Sequence, residues 1–320
     1  MQTREIRLAR RPHGEPVGED FELAVRELSP AEDQVLVRNR YMSVDPYMRG
    51  RMSDRKSYVP PFELGKALQG GAVGELEDGS LVLHQRGWRE HALLPRDQVR
   101  PIDVPRGVSP SAFLGALGMP GMTAWVGLTE IAPIREGETV FISAATGAVG
   151  SVAGQLAKAR GCRVIGSAGG PEKVRFALEE LGYDSVFDYR ADDPREALAD
   201  GIDVYFDNVG GPQLEAAIYA MRRGGRVAVC GAVSQYNAVE LPPGPRNLFL
   251  LVGKRINMRG FIVGDHEARR GEFLDEVGGL IASGRLRPAE TVVEGGLEAA
   301  PQAFIDMLRG RYLGKVVVKL

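Results

Sequence analysis

The segment that decides the fold is TVFISAATGAVGSVAGQLAKARG, from Thr139 to Gly161. Its first residues, TVFISAA, are apolar or β-prone and predict a buried strand. A turn rich in small residues, ATGAVG, runs from Ala145 to Gly150, and residues 148–160 predict a helix. A strand, a glycine turn and a helix in this order are the start of a βαβ unit, the building block of a parallel sheet.

The same alternation continues through the next hundred residues. Further strands and helices are predicted at CRVIGSA, 171–181, SVFDY, 194–199, IDVYFDNV, 212–222 and GRVAVCG, with INMRGFIVGD (256–265) as a last strand, possibly at a sheet edge. This alternation predicts a doubly wound parallel α/β sheet with helices on both faces. The segment 109–134, just before it, is predicted to be helical, with Ser109 as a possible N-cap.

The first 110 residues follow another pattern, in which short β-type runs are interrupted by Gly and Pro. Examples are 34–44, 70–85 and 88–102. Short strands with frequent turns predict a small, irregular β-barrel-like domain. The tail carries a helix at 267–283, a helix at 299–309 and the strand GKVVVKL, and it is predicted to return to this first domain.

Composition excludes several classes of protein. The 320 residues contain 40 Lys and Arg against 42 Asp and Glu, so no nucleic acid or anionic membrane is expected as a partner. The charged start MQTREIRLARR does not have the pattern of a secretory signal, and no apolar run is long enough to span a bilayer. Cys162 and Cys230 are too few for a disulfide framework, which fits a reducing cytoplasm.

The glycine turn predicts a binding site for a dinucleotide. Gly147 lets the backbone approach a pyrophosphate, and Gly150 lets the helix pack closely on the strand. The free N–H groups and the dipole at the helix start then hold the anion. The alternative is an ordinary tight strand–helix turn without a ligand.

The second strand of the alternating region indicates which dinucleotide is bound. Sites for NAD usually carry Asp or Glu at this strand end, where the carboxylate bonds the ribose 2′-hydroxyl. Here the chain reads SAGGPEK from Ser167 to Lys173, with no acid at the tip. A 2′-phosphate is therefore permitted, and Lys173 can pair with it, although Glu172 stands beside it.

Read together, these residues resemble the zinc-independent medium-chain dehydrogenases/reductases, and more narrowly the branch of prostaglandin reductases, leukotriene hydroxydehydrogenases, alkenal double-bond reductases and bacterial curcumin reductase. Six blocks occur in the order and spacing of that branch: YMSVDPYMRGRMSD (41–54), SYVPPFELG (57–65), GMPGMTAW (118–125), AATGAVGSVAGQLAK (144–158), YFDNVGG (205–211) and CGAVSQYN (230–237).

The resemblance implies a GroES-like catalytic domain over 1–112, with 285–320 returning to it, and a Rossmann NADP-binding domain over 113–284. It also implies NADPH as cofactor, cytoplasmic location, a homodimer and no metal. The implied reaction is hydride transfer to the β-carbon of an α,β-unsaturated ketone or aldehyde, a small-molecule substrate.

Site residues follow from the same resemblance. Tyr58 and Tyr236 match tyrosines that line the substrate pocket, and one of their hydroxyls is our candidate donor to the enolate oxygen. The implied cofactor contacts are Thr123, Gly147, Ala148, Val149, Gly150, Lys173, Tyr189, Asn208, Cys230, Gly231, Ala232, Ser234, Tyr236, Phe261, Ile262 and Val263. Tyr312 departs from the family, which has Asn there, and the segment 71–88 is shorter than usual.

Two alternatives remain at this point, and a third is excluded. An NADPH:quinone oxidoreductase would use the same cofactor and fold. A non-catalytic NADPH-binding redox sensor would keep the fold without turnover. A zinc alcohol dehydrogenase would need clusters of Cys and His, and the two cysteines and four histidines are scattered. We expect His84 and His91, on either side of Trp88, to be surface histidines.

Overall fold

The computed structural model describes residues 1–320. The chain divides into two compact units, Met1–Leu114 with Glu290–Leu320, and Gly115–Ala289. The expected roles of these units, a catalytic domain and an NADP-binding domain, stay predictions. No helix combines the length and the apolar composition needed to cross a membrane.

The second unit is a six-stranded parallel sheet with helices. Its strands are β8 (Thr139–Ile142), β9 (Arg163–Ala168), β10 (Ser185–Asp188), β11 (Ile202–Asp207), β12 (Met221–Val229) and β13 (Asn257–Gly260). Its helices are α2 (Met119–Val126), α3 (Gly150–Ala159), α4 (Pro171–Glu179), α5 (Pro194–Ala197), α6 (Gly211–Ala220), α7 (Leu250–Lys254) and α8 (Arg270–Ala282).

The order of these strands is β10-β9-β8-β11-β12-β13, and all neighbours pair in parallel. This is the order of the Rossmann fold, so the predicted doubly wound sheet is confirmed. The central strand β8 is buried at all four positions, as a strand covered on both faces must be. Phe141 stacks on Tyr205 at 4.7 Å and on Phe187 at 5.6 Å between ring centroids.

Most elements of the second unit lie within a few residues of their predicted bounds, and three differences have a structural reason. Helix α3 begins at Gly150 rather than at 148, because residues 144–149 form the turn. Strand β13 ends at Gly260, opposite the last residue of β12, where its partner ends. The segment 109–134 is not one helix but a 3₁₀ turn at Pro110–Leu114, helix α2 and a π turn at Gly127–Ile131, since glycines interrupt it.

The first unit is built on strands with short connections. They are β1 (Gln2–Leu8), β2 (Phe21–Glu27), β3 (Gln34–Ser43), β4 (Ala72–Glu75), β5 (Leu81–His84), β6 (His91–Pro95), β7 (Arg100–Pro101), β14 (Glu290–Val293) and β15 (Lys315–Lys319), with helices α1 (Met48–Arg51) and α9 (Ala300–Leu308).

The long strand β3 organises this unit. It pairs antiparallel with β4, β6 and β15, so the carboxyl-terminal strand lies beside it. Strands β1 and β2 form a separate hairpin that the sequence patterns did not predict. The core places Trp88 6.0 Å from Phe304 and from Phe21, measured between ring centroids.

One histidine expectation is wrong. His84 is 3% exposed, and its Nδ1 accepts a hydrogen bond from the Arg86 amide at 3.0 Å. Burial, reinforced by the charges of Arg89 and Arg86, lowers the pKa of His84 to about 4. The last three residues of β5 are all buried, His84 among them, and a neutral imidazole is compatible with burial. His91 is partly exposed.

Candidate active site

The glycine turn lies at the carboxyl end of β8, beside the point where the strand order of the sheet reverses. A Cβ on Gly150 would lie 2.2 Å from the Ala144 carbonyl oxygen, so only glycine allows this approach of helix and turn. A Cβ on Gly147 would lie 3.2 Å from the same oxygen. Ser151 and Ala153 donate their N–H groups to the Gly147 and Val149 carbonyls. The amides of residues 148–150, just before them, have no backbone acceptor and lie where a pyrophosphate site requires free N–H groups.

The tip of the neighbouring strand β9 carries no acid. Ser167 is buried and donates to Gln213 Oε1 at 2.6 Å. Gly170, at φ +95°, then starts α4, and Lys173 lies in its first turn. Lys173 is half-buried without a carboxylate partner, and burial, followed by the nearby charge of Arg190, lowers its pKa.

Arg190 is a functional candidate that the sequence reasoning missed. It follows Tyr189 at the end of β10, the strand next to β9. A Cβ on Gly169 would lie 2.8 Å from the Tyr189 hydroxyl and 3.0 Å from Arg190 Nε, so both side chains lie over this glycine. The order of parallel strands was the signal that could have found Arg190, because adjacent strand ends meet at one edge.

A hydrogen-bond network fixes the end of β11. The Asn208 amide nitrogen Nδ2 donates to the Ser143 carbonyl at 2.8 Å, and the Asn208 backbone N–H donates to the Ser143 hydroxyl at 2.9 Å. Asp207 Oδ1 accepts from the Tyr205 hydroxyl at 2.7 Å and from the Gly210 N–H at 2.8 Å. Burial raises the pKa of Asp207, whose Oδ2 has no partner.

The loop after β12 is fastened to the same strand end. Cys230 and Gly231 donate their N–H groups to the Asp207 carbonyl at 2.8 and 3.1 Å. A Cβ on Gly231 would lie 3.0 Å from the Tyr236 hydroxyl, which places that hydroxyl beside the loop backbone. The Ser234 hydroxyl donates to the Val209 carbonyl at 2.6 Å, and Ala232 lies between these anchored positions. Burial raises the pKa of the Cys230 thiol to about 12.

Two further segments of this unit carry predicted contacts. Phe261 follows β13 and packs edge-to-face on Phe206, 6.4 Å between ring centroids, with Ile262 and Val263 continuing the chain. In α2, the Thr123 hydroxyl donates to the Met119 carbonyl at 2.8 Å and keeps only its acceptor capacity for a ligand. Of the predicted contacts, the structure directly joins Asn208 and the 230–236 loop, which includes Tyr236.

Tyr58 belongs to the first unit and is 59% exposed. Its phenol lies close enough to Tyr47 to raise the pKa of that phenol, which burial already raises. The Tyr47 side chain also hydrogen-bonds the Arg51 guanidinium, which lies 4.1 Å over the Phe62 ring. Tyr47 and Arg51 were not among the predicted site residues, although both stand in the quoted YMSVDPYMRGRMSD block.

Comparison with known proteins bears on this arrangement. Residues 4–102 match the family described as N-terminal domain of oxidoreductase, and residues 148–277 match the family described as zinc-binding dehydrogenase. NADPH-dependent curcumin reductase of Escherichia coli is 45% identical over 98% of this chain and 95% of its own. The chain belongs to the zinc-independent medium-chain dehydrogenase/reductase family.

Two further relatives support this family membership. The NADP(+)-dependent 2-alkenal reductase of Nicotiana tabacum is 42% identical over 89% of this chain and 87% of its own. The crystal structure of CurA from Vibrio vulnificus in complex with NADPH superposes with a TM-score of 0.94 at 42% identity, covering 99% of this chain and 98% of that one. The resemblance stated from the six sequence blocks is therefore confirmed.

The word zinc in the description of one matched family does not apply to the residues of this chain. No group of three or more His, Cys, Asp or Glu side chains could hold a metal ion. Cys162 donates its thiol to the Arg135 carbonyl at 3.3 Å and lies in the core of the second unit. A zinc site needs such a cluster, so the residues present do not fit one.

Proposed function

We propose that this protein reduces the C=C bond of α,β-unsaturated ketones and aldehydes with NADPH. The observation that carries the cofactor choice is the half-buried Lys173 beside Arg190, at a strand tip without an acid. Two cations that share no carboxylate favour the 2′-phosphate of NADPH. The relatives support the reaction, since they are named as reductases of curcumin and of 2-alkenals.

Each part of the second unit has one task in this proposal. When bound, NADPH supplies the hydride. Gly147 and Gly150 admit its pyrophosphate to the start of α3, and Lys173, Tyr189 and Arg190 hold the far phosphate. Asn208 and the 230–236 loop, fixed on Asp207, form a rigid wall for the nicotinamide end, which Thr123 and 261–263 complete.

Negative charge develops on the substrate carbonyl oxygen during the reaction and needs a donor held in position. We assign this donor to the hydroxyl of Tyr236 or Tyr58. Tyr236 lies against the Gly231 backbone, and the Tyr58 phenol lies beside the Tyr47–Arg51 pair. The hydrogen bond from Arg51 holds the Tyr47 phenol in place and supports the surroundings of Tyr58.

The test is oxidation of NADPH and of NADH with a trans-2-alkenal, an alkenone and a quinone in parallel, with identification of the products. A saturated carbonyl product formed with NADPH is the expected result. Turnover of quinones alone would establish an NADPH:quinone oxidoreductase. Tight NADPH binding without turnover on any of these substrates would indicate a redox sensor.

The tyrosine assignment is tested by Tyr236→Phe and Tyr58→Phe, each of which removes only a hydroxyl. Loss of one donor to the developing charge lowers kcat by roughly 10²–10³-fold. Tyr219→Phe is the matched control, since Tyr219 is 60% exposed on α6. Full kcat in both single variants, and in the double variant, would remove both tyrosines from the reaction.

We also propose a cytoplasmic homodimer that pairs through β13. This strand ends the sheet, all four of its residues are exposed, and its outer edge has no strand partner. Val252, on helix α7, and Phe249, which precedes that helix, are 83% and 73% exposed. Val252→Glu is expected to convert a dimer to a monomer in sedimentation experiments. A monomeric wild-type chain would contradict this proposal.

A further inference from the structure

The first unit contains a cavity with the chemistry of an anion site. It has a volume of 440 Å³ and lies between the β1–β2 hairpin and the β5–β6 connection. Three arginines line it, Arg26, Arg86 and Arg89, with His91 at its wall. This volume falls in the usual range of small-molecule pockets.

Arg89 is the decisive residue because its charge is buried without a salt bridge. The side chain is 8% exposed and donates to the Leu68 carbonyl at 2.8 Å and to the Gly87 carbonyl at 3.1 Å. Burial, with repulsion from Arg86 and Arg26, lowers its pKa to about 10. A buried guanidinium normally has a carboxylate partner, and here only carbonyls take that place.

The acids at the cavity balance these cations only in part. The charge of Glu5 favours protonated Arg89, but Glu5 is also paired with Arg7 at 2.8 Å. Glu27 is exposed at the rim. Neither acid forms a salt bridge with Arg89, and three arginines therefore face two glutamates, one of which is taken by Arg7.

We propose that this cavity binds a small organic anion through its carboxylate or phosphate group. Guanidinium groups match the planar geometry of both oxyanions and donate paired hydrogen bonds to them. Arg86 and Arg26 are positioned to contact such a ligand from the open side, while Arg89 supplies the buried charge. His91 is held by Thr3, whose hydroxyl lies 3.3 Å from Nδ1, and presents its ring to the same space.

This inference does not depend on the proposed reductase activity, because every residue involved belongs to the first unit. Its experiment is equilibrium dialysis of the full chain with labelled inorganic phosphate and, separately, labelled citrate. NADPH is kept in excess so that the cofactor's phosphate sites are filled, and sodium chloride fixes the ionic strength. The two anions distinguish a phosphate from a carboxylate ligand.

The expected result is saturable binding of at least one anion at one per chain. Arg86→Gln and Arg26→Gln each weaken anion binding by roughly tenfold or more, because each removes a hydrogen bond between charged groups. Arg106→Gln, an exposed arginine of the same unit outside the cavity, leaves it unchanged. No saturable binding of either anion, or equal affinity in the Arg86→Gln and Arg106→Gln chains, would overturn the proposal.

Discussion

Replacing Lys173 by Met should weaken the binding of NADPH and leave the binding of NADH almost unchanged. Methionine keeps the unbranched stem and removes the ammonium group. Lys173 is half-buried and has no carboxylate partner, so its charge is available to a phosphate. A hydrogen bond between charged groups contributes about 1.5–3 kcal/mol. That range corresponds to a roughly 10- to 100-fold rise in the KM for NADPH.

NADH lacks the 2′-phosphate, so its KM should change by less than about threefold, within the effect of an ordinary surface substitution. Initial rates at saturating 2-alkenal, measured against each cofactor, give both constants. Arg175→Met is the matched control, since Arg175 is exposed on the same helix α4. Arg190→Gln should repeat the Lys173→Met effect, because its guanidinium lies over Gly169 and Gly170, directly before the helix that carries Lys173.

Two results would refute this reasoning. Equal rises in the KM for NADPH and for NADH would mean that Lys173 stabilises the structure of α4 and does not bind a phosphate. An unchanged NADPH constant in the Lys173→Met, Arg190→Gln double variant would show that the 2′-phosphate lies elsewhere.

Three further outcomes follow from the packing. Gly150→Ala, whose Cβ meets the Ala144 carbonyl, should raise the KM for both cofactors, whereas Gly253→Ala, with open space around it, should not. His84→Asn should flatten the pH dependence of stability: the native pKa of about 4 lies below the unfolded value of 6.5, so stability is full above pH 6.5 and falls by up to about 3 kcal/mol toward pH 4. Cys162 and Cys230, with pKa values raised by burial to about 11 and 12, should resist alkylation by iodoacetamide at neutral pH in the folded protein, as followed by mass spectrometry.

Each of these outcomes has a result that contradicts it. Normal cofactor constants in Gly150→Ala would show that the turn can relax. Equal pH profiles of the wild type and His84→Asn, measured by denaturant unfolding, would mean that another group controls the acid limb. Rapid labelling of Cys230 in the native protein would show that its thiol is accessible.

The sequence was sufficient to predict the strands and helices of the alternating part of the chain. Strands such as TVFI are buried on both faces, so they read as continuous apolar runs, and the glycine spacing at Gly147 and Gly150 reports a local backbone requirement. Both signals depend on residues that are close together in the chain, so they can be recognised in the sequence alone. The hairpin of β1 and β2 was missed because most β2 side chains are exposed and do not alternate.

Positions that depend on distant neighbours could not be predicted. Whether His84 faces outward depends on which strands pair with β5, and strand register cannot be derived from the sequence of β5 alone. The helical segment 109–134 breaks into shorter turns where close packing excludes a side chain, as at Gly127, whose Cβ would lie 2.2 Å from the Phe206 ring.

The sequence by itself therefore determined the strand–helix alternation, the glycine turn and the absence of an acid at the tip of β9, because each depends on residues near one another in the chain. Only the tertiary structure decided that Arg190 joins Lys173 and that Arg26, Arg86 and Arg89 surround one cavity. The physical reason is the same in both cases. Charges separated along the chain share a site only when strand order and register bring their side chains to the same edge of a sheet.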